Sequence, residues 1–306
     1  MTNHKVSVII CTLNRPTLIN CLESVYDQNY KNFEVIVVSP KENTRKAILN
    51  CSNPNFNGIK FLLSDKANVS RQRNIGIRQA SGEIVVFIDD DATAERDWIF
   101  NLKKNYEDDQ VMCVGGRIVP KFLGEIPEEL KNLPKEIYKG FLGETLLEFQ
   151  STTIINQPLL WGSNISFRKK IFEIIGEFDE ELGKTDDKLL CEEEIEIQTR
   201  ILKKGYKIVY EPSSVVIHLA GSEKLTKEFF IKRSFWQGVS ETIKVRKSSN
   251  FQNTMNILNR SQLKYTNDIK LLELLFELSA NDTLENSVKI SYEIGRIAGL
   301  SSLIKR

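Results

Sequence analysis

Paired cysteines are missing from this sequence of 306 residues. The five cysteines are scattered singly and none belongs to a C-x-x-C pair: Cys11, Cys21, Cys51, Cys113 and Cys191. An odd number of isolated cysteines argues against a disulfide framework and against a zinc site. Because this usage is typical of a reducing compartment, we expect a cytoplasmic protein.

Long apolar runs and a strong net charge are also absent. The longest uninterrupted apolar run, residues 84–88, is far shorter than the ~18 residues that a membrane-spanning helix needs. Residues 1–5 lead directly into a strand-like segment, so we expect neither a transmembrane helix nor a signal peptide. With 42 basic and 41 acidic residues, the chain has no global field that would hold nucleic acid.

Nearly continuous apolar segments alternate with helical patterns in the first third of the sequence. Four of these segments are predicted to be strands: residues 6–11, 33–38, 59–63 and 84–88. Helices are predicted from about residue 16 to 25, at 68–80 and at about 95–106. Repeated strand–helix units indicate an α/β fold with a mostly parallel sheet, which binds its ligands at the carboxyl ends of the strands.

The rest of the sequence is predicted to contain both strands and helices at first, and only helices towards its end. Further strands are predicted at residues 111–119, 161–167, 207–210 and 215–218, and further helices at 168–175 and 193–204. Residues 120–158 show no clear period. From about residue 226 the pattern is helical, in segments near 226–247, 261–278 and 284–304.

Three adjacent carboxylates, Asp89, Asp90 and Asp91, directly follow the fourth predicted strand. Since adjacent carboxylates repel one another, such a run at the end of a central strand favours a bound divalent cation. Asp89 and Asp91 would offer two oxygens on one side of an extended segment. Capping of the next helix explains one aspartate well but explains three poorly.

Two arginines lie at the head of the predicted helix 68–80, in the sequence SRQRNIG from Ser70 to Gly76. The guanidinium groups of Arg71 and Arg73 match phosphate oxygens, which helix N-termini also attract. The alternative is an ordinary solvated helix surface.

A run of glutamates enters the predicted helix 193–204. At helical spacing, Glu193 and Glu194 flank the buried stripe of this helix. A carboxylate beside a buried face is typical of a general base, although acidic residues in a first turn also complement the helix dipole. Glu196 instead points away and is predicted to pair with Arg200.

One histidine, His218, closes the predicted strand 215–218. A histidine at a strand end is either a metal ligand or a structural side chain. The residues alone leave both interpretations open.

Taken in order, these segments resemble the family 2 glycosyltransferases of the GT-A fold. The matching segments are VIICTLNR at residues 8–15, RQRNIG at 71–76, FIDDD at 87–91, WGSNISFR at 161–168, GEFDEELG at 176–183, EEIE at 193–196, KGYKIVY at 204–210 and finally His218. The resemblance spans about residues 5–245. It implies a Rossmann-like GT-A domain at residues 1–222, with a nucleotide-sugar half at about 1–120 and an acceptor half at about 121–222. A helical C-terminal extension would follow at 223–306.

The resemblance also assigns roles to individual residues. It implies a metal site formed by Asp89, Asp91 and His218, and a catalytic base at Glu194, with Glu193 as the competitor. The residues implied to bind the nucleotide-sugar are Thr12, Asn14, Arg15, Ser39, Arg71, Arg73, Asn74, Asp90, Trp161 and Gly162.

Two departures from the family pattern affect these implied roles. The family usually has an aspartate at the position of Glu194, so the base would have a longer arm here. After the second strand the family usually presents aspartates to the base and ribose, whereas this chain continues Ser39-Pro40-Lys41-Glu42. The identity of the nucleotide is therefore open, with a UDP-sugar as the default.

The activity implied is metal-dependent, inverting transfer of a hexosyl group from a nucleotide diphosphate to an acceptor hydroxyl. The cofactor would be Mn²⁺ or Mg²⁺, and the acceptor a glycan or a lipid-linked molecule, as in polysaccharide biosynthesis. A sugar-nucleotide pyrophosphorylase would need a glycine-rich loop after the first strand, and the segment CTLNRP has no glycine. The remaining alternative is an inactive glycosyltransferase-like scaffold or sugar-binding module.

A basic amphipathic segment at residues 225–247 has two interpretations. It would either lie on an anionic membrane, as a peripheral contact at the inner face of the cell membrane, or pack beneath the active site. The resemblance favours packing, because RSFWQG at residues 233–238 resembles a segment that the family places beside the donor site.

Overall fold

The computed structural model describes residues 3–51, 53–247 and 283–301. These residues form one nine-stranded sheet flanked by helices. Its strands are β1 (Val6–Cys11), β2 (Phe33–Ser39), β3 (Lys60–Leu63), β4 (Ile84–Asp89), β5 (Ala92–Ala94), β6 (Val111–Phe122), β7 (Thr153–Ile155), β8 (Ile165–Arg168) and β9 (Lys207–Ala220).

Within the described residues, the helices lie between the strands, and two long ones follow the last strand. They are α1 (Leu18–Tyr26), α2 (Asn43–Asn50), α3 (Val69–Gln79), α4 (Trp98–Lys103), α5 (Glu128–Lys131), α6 (Lys135–Phe141), α7 (Ile171–Ile175), α8 (Glu193–Lys203), α9 (Lys227–Arg246) and α10 (Leu284–Ser301). The predicted helix at 261–278 lies outside the described residues.

The sheet has a parallel half and a mixed half. Strands β3, β2, β1 and β4 are parallel neighbours in that order. Beyond β4, the antiparallel strand β8 joins it to β6, which in turn pairs in parallel with β9. The short strands β5 and β7 both pair with β9 in the antiparallel sense. The predicted α/β class is confirmed.

The central strands are buried on both faces, as their continuous apolar sequences predict. In β1, Val8 and Ile10 point to one core, where α1 and α4 pack, while Ile9 points to the other. That second core includes Ile77 of α3 and Ile197 of α8. The alternation follows from the two-residue period of a strand. Burial on both faces anchors these strands, and the polar residues lie at their ends.

One predicted interruption of the sheet is wrong. The sequence predicts two short strands at 207–210 and 215–218, with Pro212, Ser213 and Ser214 between them. The structure has the single strand β9, and it absorbs this segment as a shift in register opposite Gly116 and Arg117 of β6. A bulge lets a proline remain in a strand without a ladder hydrogen bond.

The predicted strand at 161–167 is also shorter than expected. Gly162–Asn164 forms a 3₁₀ turn, and the strand begins only at Ile165. The turn places the backbone N–H of Gly162 beside α8, as described below.

The irregular segment 120–158 contains α5, α6 and β7, and it builds a third core with the C-terminal helices. That core includes Leu130, Leu142, Phe230 and Val288. Helices α9 and α10 cross so closely that a Cβ atom on Gly295 would lie 1.9 Å from the Phe235 carbonyl oxygen. Glycine is therefore required at this crossing. None of the described helices is both long and apolar enough to span a bilayer.

Candidate active site

A polar cleft opens at the carboxyl ends of β1 and β4 and extends to α8 and α9. Its walls include residues from the loop after β1, the aspartate run, the turn at Gly162 and the start of α8. The sequence-predicted residues that line it are Thr12, Arg15, Arg73, Asp89, Asp90, Asp91, Trp161, Gly162, Glu193, Glu194 and His218. Residues from distant parts of the sequence thus meet where a doubly wound sheet binds its ligands.

Asp89, Asp91 and His218 form a compact cluster in this cleft. Each offers one ligand atom, and these atoms lie within 4.8 Å of one another. The pairing of β5 with β9 explains the approach, because Ala92 lies opposite His218 and the Leu219 N–H donates to the Asp91 carbonyl oxygen at 2.8 Å. Two carboxylates and an imidazole form a donor set suited to a divalent cation.

The two ring nitrogens of His218 have different surroundings. Its Nε2 lies 3.3 Å from an Asp91 oxygen, whereas its buried Nδ1 has no hydrogen-bond partner among the described residues. Gly143, whose φ is +82°, lies against the ring, and a Cβ there would approach Nδ1 to 3.1 Å. A glycine therefore leaves room for the ring beside the aspartates.

Positive groups surround Asp91. Arg15 donates to one of its oxygens, and the Lys224 Nζ lies 3.3 Å from the same oxygen. Burial alone would raise the pKa of Asp91, but the hydrogen bond with His218 and the charges of Lys224, His218 and Arg15 outweigh it and lower that pKa. Asp91 is thus held ionised, as a metal ligand must be.

The neighbouring Asp90 has a different environment. It accepts a 2.5 Å hydrogen bond from the Thr12 hydroxyl and lies 3.5 Å from Arg15. Burial raises the pKa of Asp90 to about 6, despite these two favourable partners. Its contacts tie the loop after β1 to the aspartate run.

Glu193 is buried and paired. Its Oε1 accepts a 2.9 Å hydrogen bond from Arg73, and both side chains are less than a tenth exposed. Arg73 also lies over the rings of Phe87 and Phe178, at 5.5 and 5.3 Å from their centroids. Burial and the charge of Glu194 raise the pKa of Glu193, while Arg73 opposes the rise.

Glu194 lines the same cleft without a cationic partner among the described residues. Its Oε1 accepts a 3.2 Å hydrogen bond from the Gly162 N–H, and its Oε2 is buried without a partner in that part of the chain. Gln198 fixes this arrangement, because its amide bonds both the N–H and the carbonyl of Leu160 and the carbonyl of Glu194. The carboxylate is held next to the turn at Gly162 with one oxygen unused.

The predicted pair of Glu196 with Arg200 is present at 2.7 Å, on the outer side of α8.

Four residues predicted to bind nucleotide-sugar do not line the cleft, and each has another role. Ser39 is buried and bonds Thr44 at 2.9 Å. Arg71 pairs with Asp65 and Glu180.

The other two shape the walls. The Asn74 side chain exchanges hydrogen bonds with the Phe178 backbone, so it anchors α3 to the segment before α8. Asn14 adopts a left-handed conformation with φ of 67°, and its N–H donates to the Thr12 hydroxyl at 2.9 Å. It therefore bends the loop after β1 without facing the cleft.

Three cations of the cleft were missed by sequence reasoning: Lys184, Lys224 and Arg233. Lys184 lies in a loop and Lys224 in a 3₁₀ turn, where no period indicates the direction of a side chain. Arg233 lies in a segment for which the sequence predicts either membrane contact or packing beneath the active site, without assigning a role to this side chain. That Arg233 faces the cleft depends on how α9 packs against the rest of the protein, which the sequence does not show.

Comparison with known proteins decides the family. Residues 7–176 match the model of the family described as glycosyl transferase family 2. A glucosyl-dolichyl phosphate glucuronosyltransferase of Haloferax volcanii is 31% identical over 252 residues, which cover 78% of this chain and 77% of the relative. The chain belongs to glycosyl transferase family 2.

A second relative of this family 2 glycosyltransferase comes from Methanococcus voltae. It is a dolichyl N-acetyl-alpha-D-glucosaminyl phosphate 3-beta-D-2,3-diacetamido-2,3-dideoxy-beta-D-glucuronosyltransferase, 25% identical over 79% of this chain and 74% of the relative. Among solved structures, the mannosyltransferase PcManGT of Pyrobaculum calidifontis, in complex with GDP-Man and Mn²⁺, is similar with a TM-score of 0.62. That match covers 99% of this chain and 88% of the other at 17% identity, and it confirms the GT-A fold.

Proposed function

We propose that this glycosyltransferase transfers a sugar, with inversion and with the help of Mn²⁺ or Mg²⁺, from a nucleotide diphosphate to a hydroxyl of a lipid-linked acceptor. The observation that carries the proposal is the cleft itself. It contains a carboxylate–imidazole cluster fit for a divalent cation and, on a different element, a carboxylate without a cationic partner in the described part of the chain.

Asp89, Asp91 and His218 would hold the divalent ion. When bound, this ion supplies positive charge that offsets the negative charge growing on the leaving diphosphate. Lys224 and Arg15, which already contact Asp91, are placed to contact diphosphate oxygens beside that cluster. Thr12 and Asp90 position the loop that carries Arg15.

Glu194 is the proposed base and Glu193 a positioning residue. Each glutamate keeps a buried Oε2 without a hydrogen-bond partner among the described residues. They differ at Oε1, because that of Glu193 accepts from the Arg73 guanidinium, whereas that of Glu194 accepts only from the Gly162 N–H. In the reaction, the acceptor oxygen bonds to the anomeric carbon as the bond from that carbon to the diphosphate oxygen breaks. The hydroxyl proton passes to Glu194, and no covalent sugar–enzyme intermediate forms.

The relatives support a narrower substrate class. The Haloferax and Methanococcus proteins are both named glucuronosyltransferases, and both names contain a dolichyl phosphate. We therefore extend the proposal to a uronosyl donor and a polyprenyl-phosphate-linked acceptor. The default nucleotide is UDP. Ser39 does not help to identify the base, because its hydroxyl already bonds Thr44 within the protein.

The direct test is metal-dependent release of UDP from UDP-glucuronic acid by the purified protein, with a short-chain polyprenyl-phosphate glucoside as acceptor. We expect release that requires both the acceptor and Mn²⁺, and that EDTA abolishes. Binding of the donor without any release of UDP would instead favour the inactive scaffold or sugar-binding module.

A further inference from the structure

The cations of the cleft fall into two groups by their partners. Arg15 contacts Asp90 and Asp91, Lys224 contacts Asp91, and Arg73 contacts Glu193. Lys184 and Arg233, in contrast, form no ion pair with any carboxylate of the described residues. Lys184 lies near Arg15, Lys224 and the aspartate run, so only Arg233 lies at the other end of the cleft. A guanidinium facing a substrate cleft without such a partner is available to an anionic ligand.

The hydrogen bonds of Arg233 show which of its edges is available. Its Nη1 donates to the Cys191 Sγ and to the Gln237 Oε1, both at 3.1 Å. The guanidinium also lies over the Phe141 ring, 5.2 Å from the centroid. These three contacts fix its orientation, and they leave Nε and Nη2 without a partner among the described residues.

This remaining edge is the one that best recognises a carboxylate. Nε–H and Nη2–H point in parallel and match the two oxygens of a carboxylate in a bidentate pair. Because the side chain is already held by a ring and two acceptors, little conformational entropy is lost on binding.

The position of Arg233 indicates which part of the substrates it would meet. It lines the cleft with Glu194 and lies near enough for the two charges to interact. If Glu194 is the base, the transferred sugar lies between it and the metal cluster. The diphosphate already has Lys224 and Arg15 at that cluster, so Arg233 is a cation left for the sugar.

We propose that Arg233 is a specificity-determining residue that binds the carboxylate of a uronic acid in the donor. This inference rests on the proposed transfer of a uronosyl group, and it adds the residue that selects the group. A neutral hexose, with a hydroxymethyl group in place of the carboxylate, would leave the guanidinium edge desolvated and unpaired, which a binding site disfavours.

The test measures equilibrium binding of UDP-glucuronic acid and UDP-glucose by titration calorimetry in Mn²⁺, so that it does not depend on turnover. Arg233→Leu should weaken binding of UDP-glucuronic acid about 30- to 100-fold and binding of UDP-glucose less than about threefold. Arg233→Lys, which keeps the charge but loses the fork, should lose at least about fivefold of the preference. Lys232→Leu removes a charge from the exposed side of the same helix and should change neither affinity.

Several results would overturn the inference. These are a wild-type protein that binds neither donor or both equally, and an Arg233→Leu variant that weakens both donors to the same extent. If Arg233→Leu does not fold, an unchanged preference in Arg233→Lys is decisive against it. A rise in acceptor KM with both donors would assign Arg233 to the acceptor phosphate instead.

The proposed function can fail separately. Selective, Arg233-dependent binding of UDP-glucuronic acid by a protein that releases no UDP with any acceptor would support the inference and contradict the transfer. Transfer without a preference for the uronosyl donor would support the transfer and contradict the role of Arg233.

Discussion

The cleft contains two runs of adjacent carboxylates in contrasting surroundings. The aspartate run after β4 faces Arg15 and Lys224, so Asp91 has two positive neighbours beside the His218 imidazole. At the glutamate pair at the start of α8, Arg73 bonds only Glu193, and Arg233 lies nearby without an ion pair to either glutamate among the described residues. Adjacent negative charges are thus balanced in one run and left partly unbalanced in the other.

This difference separates what the two runs can do. Burial would raise the pKa of Asp91, but the His218 hydrogen bond and the nearby cations lower it, and an ionised carboxylate suits a metal ligand. Burial and a negative neighbour raise the pKa of Glu193. Glu194 accepts only from the Gly162 N–H and has no cationic partner among the described residues, which suits a proton acceptor. The balance of local charge, more than residue type, distinguishes the proposed metal ligand from the proposed base.

The largest expected effect is at the aspartate run. Asp91→Ala, and to a similar degree Asp89→Ala, should lower transfer at least about a thousandfold, because the ion that stabilises the leaving diphosphate loses a ligand. The variants should stay folded, because neither side chain belongs to the apolar core. The measurement is Mn²⁺-dependent release of UDP, with Asp109→Ala, an exposed carboxylate, as the control. Undiminished metal-dependent turnover in either variant would contradict the assignment.

A somewhat smaller loss is expected at the glutamate pair. Glu194→Gln should lower kcat about 10²- to 10³-fold, because it removes the proposed base. Affinity for the donor should stay within about threefold, since the base acts on the acceptor. Glu193→Gln should keep at least about a tenth of wild-type turnover. If Glu193→Gln is inactive and Glu194→Gln is active, the roles of the two residues are reversed.

The comparison also predicts how stability changes with pH. The pKa of Glu193 rises from an ordinary 4.5 to about 8 on folding, so the folded protein binds this proton more tightly than the unfolded chain. The stabilisation is fully present below about pH 4.5 and is lost as the pH rises through about 8. Urea unfolding in EDTA at pH 5 and pH 8 should therefore show a larger loss of stability for wild type than for Glu193→Gln. Equal losses would show that Glu193 is ionised throughout.

Much of the parallel half of the sheet could be predicted from the sequence, because each of its strands is marked by a run of neighbouring apolar residues. Continuous apolar runs fixed β1, β2 and β4 nearly to the residue, and the aspartate run follows from the end of β4. The C-terminal half was harder. The strand β9 continues through Pro212 because of its pairing with β6, and a pairing between strands about 95 residues apart leaves no local period.

The same reason explains what was missed and misplaced in the site. The pair of Arg73 with Glu193 spans 120 positions, and the approach of Arg233 to Cys191 depends on the docking of α9. The family resemblance implies Ser39 at the nucleotide because it follows the predicted second strand, yet its hydroxyl bonds Thr44 and the N–H of Lys41. A strand end predicts the edge of the cleft, but not the direction of each side chain.

The smallest expected effect concerns the positive charges of α9 that face away from both acidic runs. Phe230 of α9 is buried in the third core, and the crossing at Gly238 and Gly295 holds α9 against α10. Among the described residues of these two helices, only Val245, Ile294 and Ile297 are large apolar side chains that stay exposed. Because most of the apolar surface is covered, we expect no co-sedimentation with anionic liposomes at low salt, and no change when Lys227 and Lys232 are both replaced by Gln. Gly295→Ala should instead lower the free energy of unfolding by about 1–3 kcal/mol, since the added methyl group meets the Phe235 carbonyl. Salt-sensitive sedimentation that the double lysine variant abolishes would favour the peripheral membrane interpretation, because screening weakens attraction to a charged surface.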